Sequence, residues 1–268
     1  MHPIAPRKGD CYARRMPENP TPLRIVGLGS LVLAATFVLT GCFGPSNGPY
    51  QGTATVIRED ADPSDEDVDT DEEVTSGLSD EQFEEFEQDL DSAETITDEY
   101  WRAHWSEFFT GTYESPTVVG LYDGTADDAP TCGGSALGPN NAFYCIPEDY
   151  VAWDVSLMIS GFATGDTWVY LVIAHEWGHA VQARIDPSLV SEAEELQADC
   201  FAGAALFGAA ADGNLSIEEG DLAEITTALS TLADTGPWTS SGDHGDPFER
   251  IAAFDAGKNG GPAACFPV

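Results

Sequence analysis

Two histidines four residues apart, in His175-Glu176-Trp177-Gly178-His179, close an apolar run that begins at Val169. At 3.6 residues per turn, positions i and i+4 lie on one helix face, so the segment predicts a helix that aims two imidazoles at one point. The flanks Tyr170–Ile173 and Ala180-Val181 make that helix largely apolar. Uncompensated polar side chains are costly in such surroundings, which argues against a chance grouping on a solvated helix. The fold must therefore bring a cation and a further ligand against this face. Glu176 falls on a neighbouring position, from which its carboxylate reaches a water on the metal without taking a coordination place, as a general base does in an H-E-x-x-H site. Zinc suits the donor set: a catalytic site holds it with three protein groups and keeps a fourth position for water.

The third ligand must come from a separate element, and Ser191–Gly203 reads SEAEELQADCFAG. On a helix, Glu195 and Asp199 share a face, so Glu195 can complete the coordination while Asp199 accepts a hydrogen bond from a ligand histidine's other nitrogen. Fifteen residues separate His179 from Glu195, room for a turn near Asp186-Pro187-Ser188. Glu192 and Glu194 compete for the same role, but Leu196, Ala198 and Phe201 cluster around Glu195 and favour it. His244, in Ser241-Gly242-Asp243-His244-Gly245, is the candidate donor to a developing oxyanion. Its flanking glycines permit close approach, and Asp243 or another carboxylate can set its charge, while an ordinary surface-loop histidine is the plainer alternative. Arg250 is read first as a structural ion-pair partner and only second as a clamp for a substrate carboxylate.

The chain resembles the bacterial neutral zinc metallopeptidases, which share the HExxH-plus-glutamate plan of the gluzincins. The likeness rests on Trp101–Tyr113 followed by Pro116–Val119, on Cys132-Gly133 and Phe143–Cys145, on His175–Gln182, on Glu195-Leu196-Gln197-Ala198-Asp199-Cys200, and on His244-Gly245 with Arg250. The resemblance spans most of residues 95–255, and Glu195–Cys200 is its specific part. It implies that His175, His179 and Glu195 hold Zn2+, that Glu176 is the base, that Asp199 orients a ligand, and that peptides or proteins are the substrates. The sequence departs from the family pattern at Asp246-Pro247-Phe248-Glu249, where small polar residues are usual, and in its acidity; neither change touches the ligands.

Five basic residues precede Ile25, then Ile25–Leu39 is almost wholly apolar and Leu39-Thr40-Gly41-Cys42 ends the run. This resembles a bacterial lipoprotein signal, which implies cleavage before Cys42, acylation of that cysteine, and anchoring on the extracytoplasmic side of the bacterial cell membrane. The run is short of the roughly 20 residues of a spanning helix, the alternative reading. Arg14-Arg15 makes a weak twin-arginine signal, and Met16 is an alternative start. Four cysteines remain beyond the leader and the lipid site, an even number suited to an oxidising compartment. Of three possible pairings, Cys132–Cys145 and Cys200–Cys265 are favoured: the first closes a short loop, and the second ties the carboxyl terminus to the ligand helix. A cysteine metal site lacks the usual C-x-x-C spacing.

Ten of the fifteen residues Glu59–Glu73 are acidic. Such a run repels itself and buries no core, which predicts a disordered tether over 42–78 between a signal at 1–41 and a peptidase domain at 79–268. Asp65–Asp71 makes a poor calcium loop because Thr70 occupies the glycine position. The net charge is −37, and the five bases and two acids before Cys42 leave −40 on the rest, which disfavours nucleic acid as a partner.

The expected fold is α+β, mainly helical and zincin-like, with a small sheet beside the HExxH helix. Ser79 starts a helix with Gln82 at the capping-box position, a second helix covers Thr97–Phe109, and Leu215–Ala233 and Pro247–Ala256 complete the set, the last with Asp246 as N-cap. Pro116–Tyr122 and Phe143–Val155 read as strands, and Asn141–Tyr144 is the candidate edge for substrate strand addition. A non-catalytic zinc-containing envelope lipoprotein, acting as a binding or structural module, is the competing function; zinc hydrolysis of a non-peptide amide is a third.

Overall fold

Ser79 accepts from the Gln82 amide and Gln82 returns the bond, a capping box that launches α1, Asp80–Phe108. The computed structural model describes residues 77–267. The signal segment, Cys42, the acidic run and the Asp65–Asp71 loop lie outside the described residues. Two helices were expected where α1 is one. Asp91–Ile96 contains neither Gly nor Pro, and Ala93 and Thr97 continue the buried stripe from Phe86 and Leu90 to Trp101 and Trp105. That stripe packs its aromatics on the later helices, with Trp101 edge-on to Phe201 at 5.6 Å.

Strand β1, Thr117–Tyr122, leads to the short pair β2, Thr131–Cys132, and β3, Ser135–Ala136. The expected single strand Phe143–Val155 is instead a hairpin, β4 (Ala142–Cys145) and β5 (Tyr150–Asp154). Pro147 cannot donate to a ladder, and Asp149 at φ 52° takes the left-handed conformation of a turn. Strand β5 lies between β1, to which it is parallel, and β4, to which it is antiparallel. All five of its residues are buried, and β4 is left as an edge.

Val155 belongs not to a strand but to α2, Val155–Phe162, which the alternation of the preceding strand conceals. Asp154 ends β5 and caps α2: its Oδ1 accepts from the Ser156, Leu157 and Asn140 amides and its Oδ2 from Gly124. This buried carboxylate thereby joins sheet, helix and loop. Helix α3, Thr167–Gln182, carries the histidine motif. The chain then turns through a short 3-10 segment, Pro187–Leu189, where Asp186 accepts from the Ser188 amide as the Asp-Pro-Ser signal predicts.

Helix α4, Glu194–Ala211, crosses α3 closely. A methyl group on Gly178 would sit 2.9 Å from the Ala198 Cα and carbonyl oxygen, so only glycine permits this approach. Helix α5 covers Asp221–Thr231 rather than Leu215–Ala233, because Gly220 at φ 121° interrupts the backbone just before it. Helix α6, Pro247–Gly260, starts as expected with Asp246 as N-cap and Pro247 in its first turn, adding a capping box with Glu249. It lies against α4 with Gly257 on the Cys200 carbonyl, where a methyl group would come within 1.8 Å. A 3-10 turn, Pro262–Cys265, ends the fold.

Disulfides join Cys132 to Cys145 and Cys200 to Cys265. The first braces the edge strand and removes both sulfurs from any metal cluster with Glu148. The second closes a loop of 65 residues, worth about 4 kcal/mol in the chain-entropy account. Among the described residues, no helix is long and apolar enough to cross a membrane.

Candidate metal centre and cleft

The close crossing of α3 and α4 brings His175, His179 and Glu195 together, with one donor atom from each lying within 4.8 Å of the others. Glu195 Oε2 is 3.2 Å from His175 Nε2 and 3.4 Å from His179 Nε2. A tetrahedral ion with bonds of about 2.1 Å spaces neighbouring donors by about 3.4 Å, which both glutamate–histidine separations match, so the donor set fits zinc. Glu192 stays exposed, and Glu194 reaches only the wider cleft wall. Only Glu195 meets the imidazoles.

Asp199, fully buried, accepts from His175 Nδ1 at 2.8 Å. Two nitrogens of the Arg250 guanidinium donate to the Asp199 carboxylate, at 2.8 and 2.7 Å, and a third donates to the Leu232 carbonyl. Arg250 is therefore a structural partner, in line with its first reading. Burial alone would push the His175 imidazole down, but Asp199 and Glu195 hold it up to about 10. Burial would likewise raise the Glu195 carboxyl, yet its hydrogen bonds with both imidazoles keep it well below the usual carboxylate range. Two imidazoles facing one ionised carboxylate form a donor set that can exchange its protons for a divalent cation.

Glu176 is buried beside this cluster and lines an open cleft of about 540 Å3 bounded by β4, the α3–α4 turn and His244. His244 does reach the site. Its Nε2 lies 3.6 Å from Glu195 Oε2, and Gly245, at φ 85° and against Leu196, lets the loop come that close. The carboxylate beside its ring is Asp234, not Asp243. Asp234 accepts from the His244 amide at 2.7 Å and stands 3.9 Å from Nδ1, whereas Asp243 turns to Thr239 and Ser240.

A smaller cavity of about 140 Å3 opens next to His175 and Glu176, walled by Leu157, Leu171, Val172 and Leu232. A cavity of about 150 Å3 accommodates benzene, so this one has room for a single leucine-sized side chain, with Arg250 and His244 completing its wall. Asn141 and Ala142 of the sheet edge border both spaces. Sequence reasoning missed Asp234, and it missed Gln182, whose Oε1 meets His179 Nδ1 at 2.8 Å. The Gln182 signal was available: three residues beyond His179, it shares that residue's helix face.

The fold is α+β, mainly helical, and its centre joins an HExxH helix to a glutamate on the next helix, the arrangement of a zinc metallopeptidase. The chain matches the family described as "Putative neutral zinc metallopeptidase" over residues 23–265, and it belongs to that family. Its cofactor is accordingly Zn2+. Neither the curated proteins nor the solved structures contain a match.

Proposed function

We propose that this protein is a membrane-anchored, extracytoplasmic zinc endopeptidase in which His175, His179 and Glu195 hold the metal and Glu176 is the general base. The observation that carries this reading is the convergence of two imidazoles and one carboxylate at the floor of an open cleft, with a second carboxylate beside them. Held by these three residues, zinc would lower the pKa of a bound water and polarise the scissile carbonyl. Glu176 takes a proton from the attacking water as its oxygen bonds to the carbonyl carbon, and returns it to the amine nitrogen as the C–N bond breaks. His244 donates a hydrogen bond to the carbonyl oxygen as negative charge develops there, with Asp234 orienting the ring.

The sheet edge supplies a backbone dock. The Asp154 amide donates to the Asn141 carbonyl, so ladder alternation turns the backbone groups of Ala142 and Tyr144 away from β5. An extended peptide can add there as a further strand, placing an apolar side chain in the 140 Å3 cavity. Removing the His244 donor by His244→Ala is expected to cost about 10²–10³ in turnover with zinc still bound, as oxyanion donors do. An unchanged kcat would remove His244 from the mechanism.

The direct test is digestion of an unstructured protein by the zinc-loaded chain, with products sequenced by mass spectrometry. Cleavage should stop with a chelator, return with zinc and favour leucine-sized residues next to the cut. Stoichiometric zinc without cleavage of any unfolded polypeptide would favour the non-catalytic envelope module instead. The anchor rests on the leader and Cys42: labelled fatty acid should enter the wild-type protein and not Cys42→Ala, and equal labelling of both would refute lipidation at Cys42.

A further inference from the structure

The two ligand imidazoles are oriented by different chemistry. His175 gives its Nδ1 proton to an ionised carboxylate, Asp199, whereas His179 faces a neutral amide, Gln182. An amide presents an acceptor at one end and a donor at the other, so Gln182 can orient His179 only if its own direction is fixed. What fixes it is Gln197, which is 3% exposed in the first turn of α4.

A glutamine side chain can make four hydrogen bonds, two given and two accepted, and Gln197 makes all four. Its Nε2 donates to the Leu189 carbonyl at 2.7 Å and to the Cys265 carbonyl at 2.9 Å. Its Oε1 accepts from the Ser191 amide at 2.9 Å and from Gln182 Nε2 at 3.2 Å. Turning this amide over would set its oxygen against two carbonyls and its NH2 against the Ser191 N–H, so one orientation alone is possible. Gln182 must then present its NH2 to Gln197 Oε1 and to the Glu194 carbonyl, which it meets at 2.7 Å. Its Oε1 is left for His179 Nδ1, which must carry the proton. With Nδ1 the nitrogen that keeps its proton, Nε2, which faces Glu195, is the one that gives its proton up to a metal.

We propose that Gln197, acting through Gln182, is the positioning residue that sets the tautomer of His179 and so the readiness of its Nε2 to bind zinc. The chain of bonds begins at two backbone carbonyls, that of Leu189 being the first. The other belongs to Cys265, which a disulfide ties to Cys200 next to Asp199. The carboxyl-terminal turn thus helps to aim a ligand that it never touches. The inference rests on the ligand set proposed above.

The test is a double-mutant cycle on the zinc-loaded full-length protein, with the zinc dissociation constant read by competition against a chromogenic chelator. Gln182→Leu and Gln197→Leu are each expected to weaken zinc by about 10–100-fold, the usual effect of losing a partner of a ligand histidine. Adding Gln197→Leu to Gln182→Leu should cost nothing further, because the relay is already broken. Independent effects that simply multiply would overturn the relay, and so would unchanged affinity in Gln182→Leu.

Should Gln197→Leu fail to fold, the half-buried Gln182 site still decides the matter through the ¹H–¹⁵N correlation of the His179 ring. A downfield, slowly exchanging Nδ1–H in the wild type that shifts or is lost in Gln182→Leu supports the relay; the same signal in both refutes it. His179→Ala separates this from failure of the ligand set. If that variant binds zinc as well as wild type, the ligand assignment is wrong; if it loses zinc while Gln182→Leu does not, only the relay is.

Discussion

Replacing Glu176 with glutamine is expected to lower peptide hydrolysis by about 10²–10⁴-fold, the usual contribution of a positioned general base, while zinc content stays at wild-type level. Glutamine keeps the size and hydrogen-bonding reach of the side chain but has no carboxylate to take a proton from water. The residue packs beside the metal ligands and is not one of the three converging donors, so the metal should remain. Steady-state kinetics with metal analysis on the same preparation check both halves. A zinc-loaded Glu176→Gln protein turning over at the wild-type rate would end the proposed mechanism. Loss of zinc in that variant would make Glu176 part of the coordination rather than its neighbour.

The second large effect is expected at Asp199. Asp199→Ala leaves Arg250, 3% exposed, without its partner, and stranding a buried charge in this way destabilises a protein by about 3–5 kcal/mol. It also removes the acceptor of His175 Nδ1, so zinc should bind about 10–100-fold more weakly. The two consequences can be pulled apart. A double substitution, Asp199→Leu with Arg250→Met, replaces the ion pair by apolar volume, which is often nearly neutral for stability. It should recover most of the lost stability in metal-free unfolding curves, yet none of the lost zinc affinity. Recovery of both would mean that Asp199 serves the fold alone.

These predictions draw on features of different legibility. The i,i+4 histidines name their residues because helix periodicity alone sets which side chains share a face, and the same rule pairs Glu195 with Asp199 without excluding Glu192 or Glu194 as the ligand. The caps at Ser79 and Asp246 and the turn at Asp186 were readable for the same local reason, since a side chain that satisfies a nearby backbone amide leaves its signature within three residues. The boundaries that went astray were those where no local rule chooses. Nothing in Asp91–Ile96 says whether a helix pauses there; burial of Ala93 and Thr97 against the core decides that it does not. The alternation Phe143–Val155 is compatible with one strand, with a hairpin, or with a strand that passes into a helix, and the bonds gathered on Asp154 select the last two together.

By itself, then, the order of residues determined the class of the domain, its metal-binding stripe and an even set of cysteines with three possible pairings, because these depend on spacing along helices and strands or on counting. Only the tertiary structure decided that Glu195 and not Glu192 or Glu194 meets the imidazoles, that His244 arrives with Asp234 rather than Asp243, and that Gln197 saturates four bonds behind His179. The physical reason is the same in each case. Hydrogen bonds and ion pairs act over about 3 Å, and which groups come that close across α3, α4 and the α5–α6 loop follows from how glycine-lined helix faces pack, not from any separation in sequence.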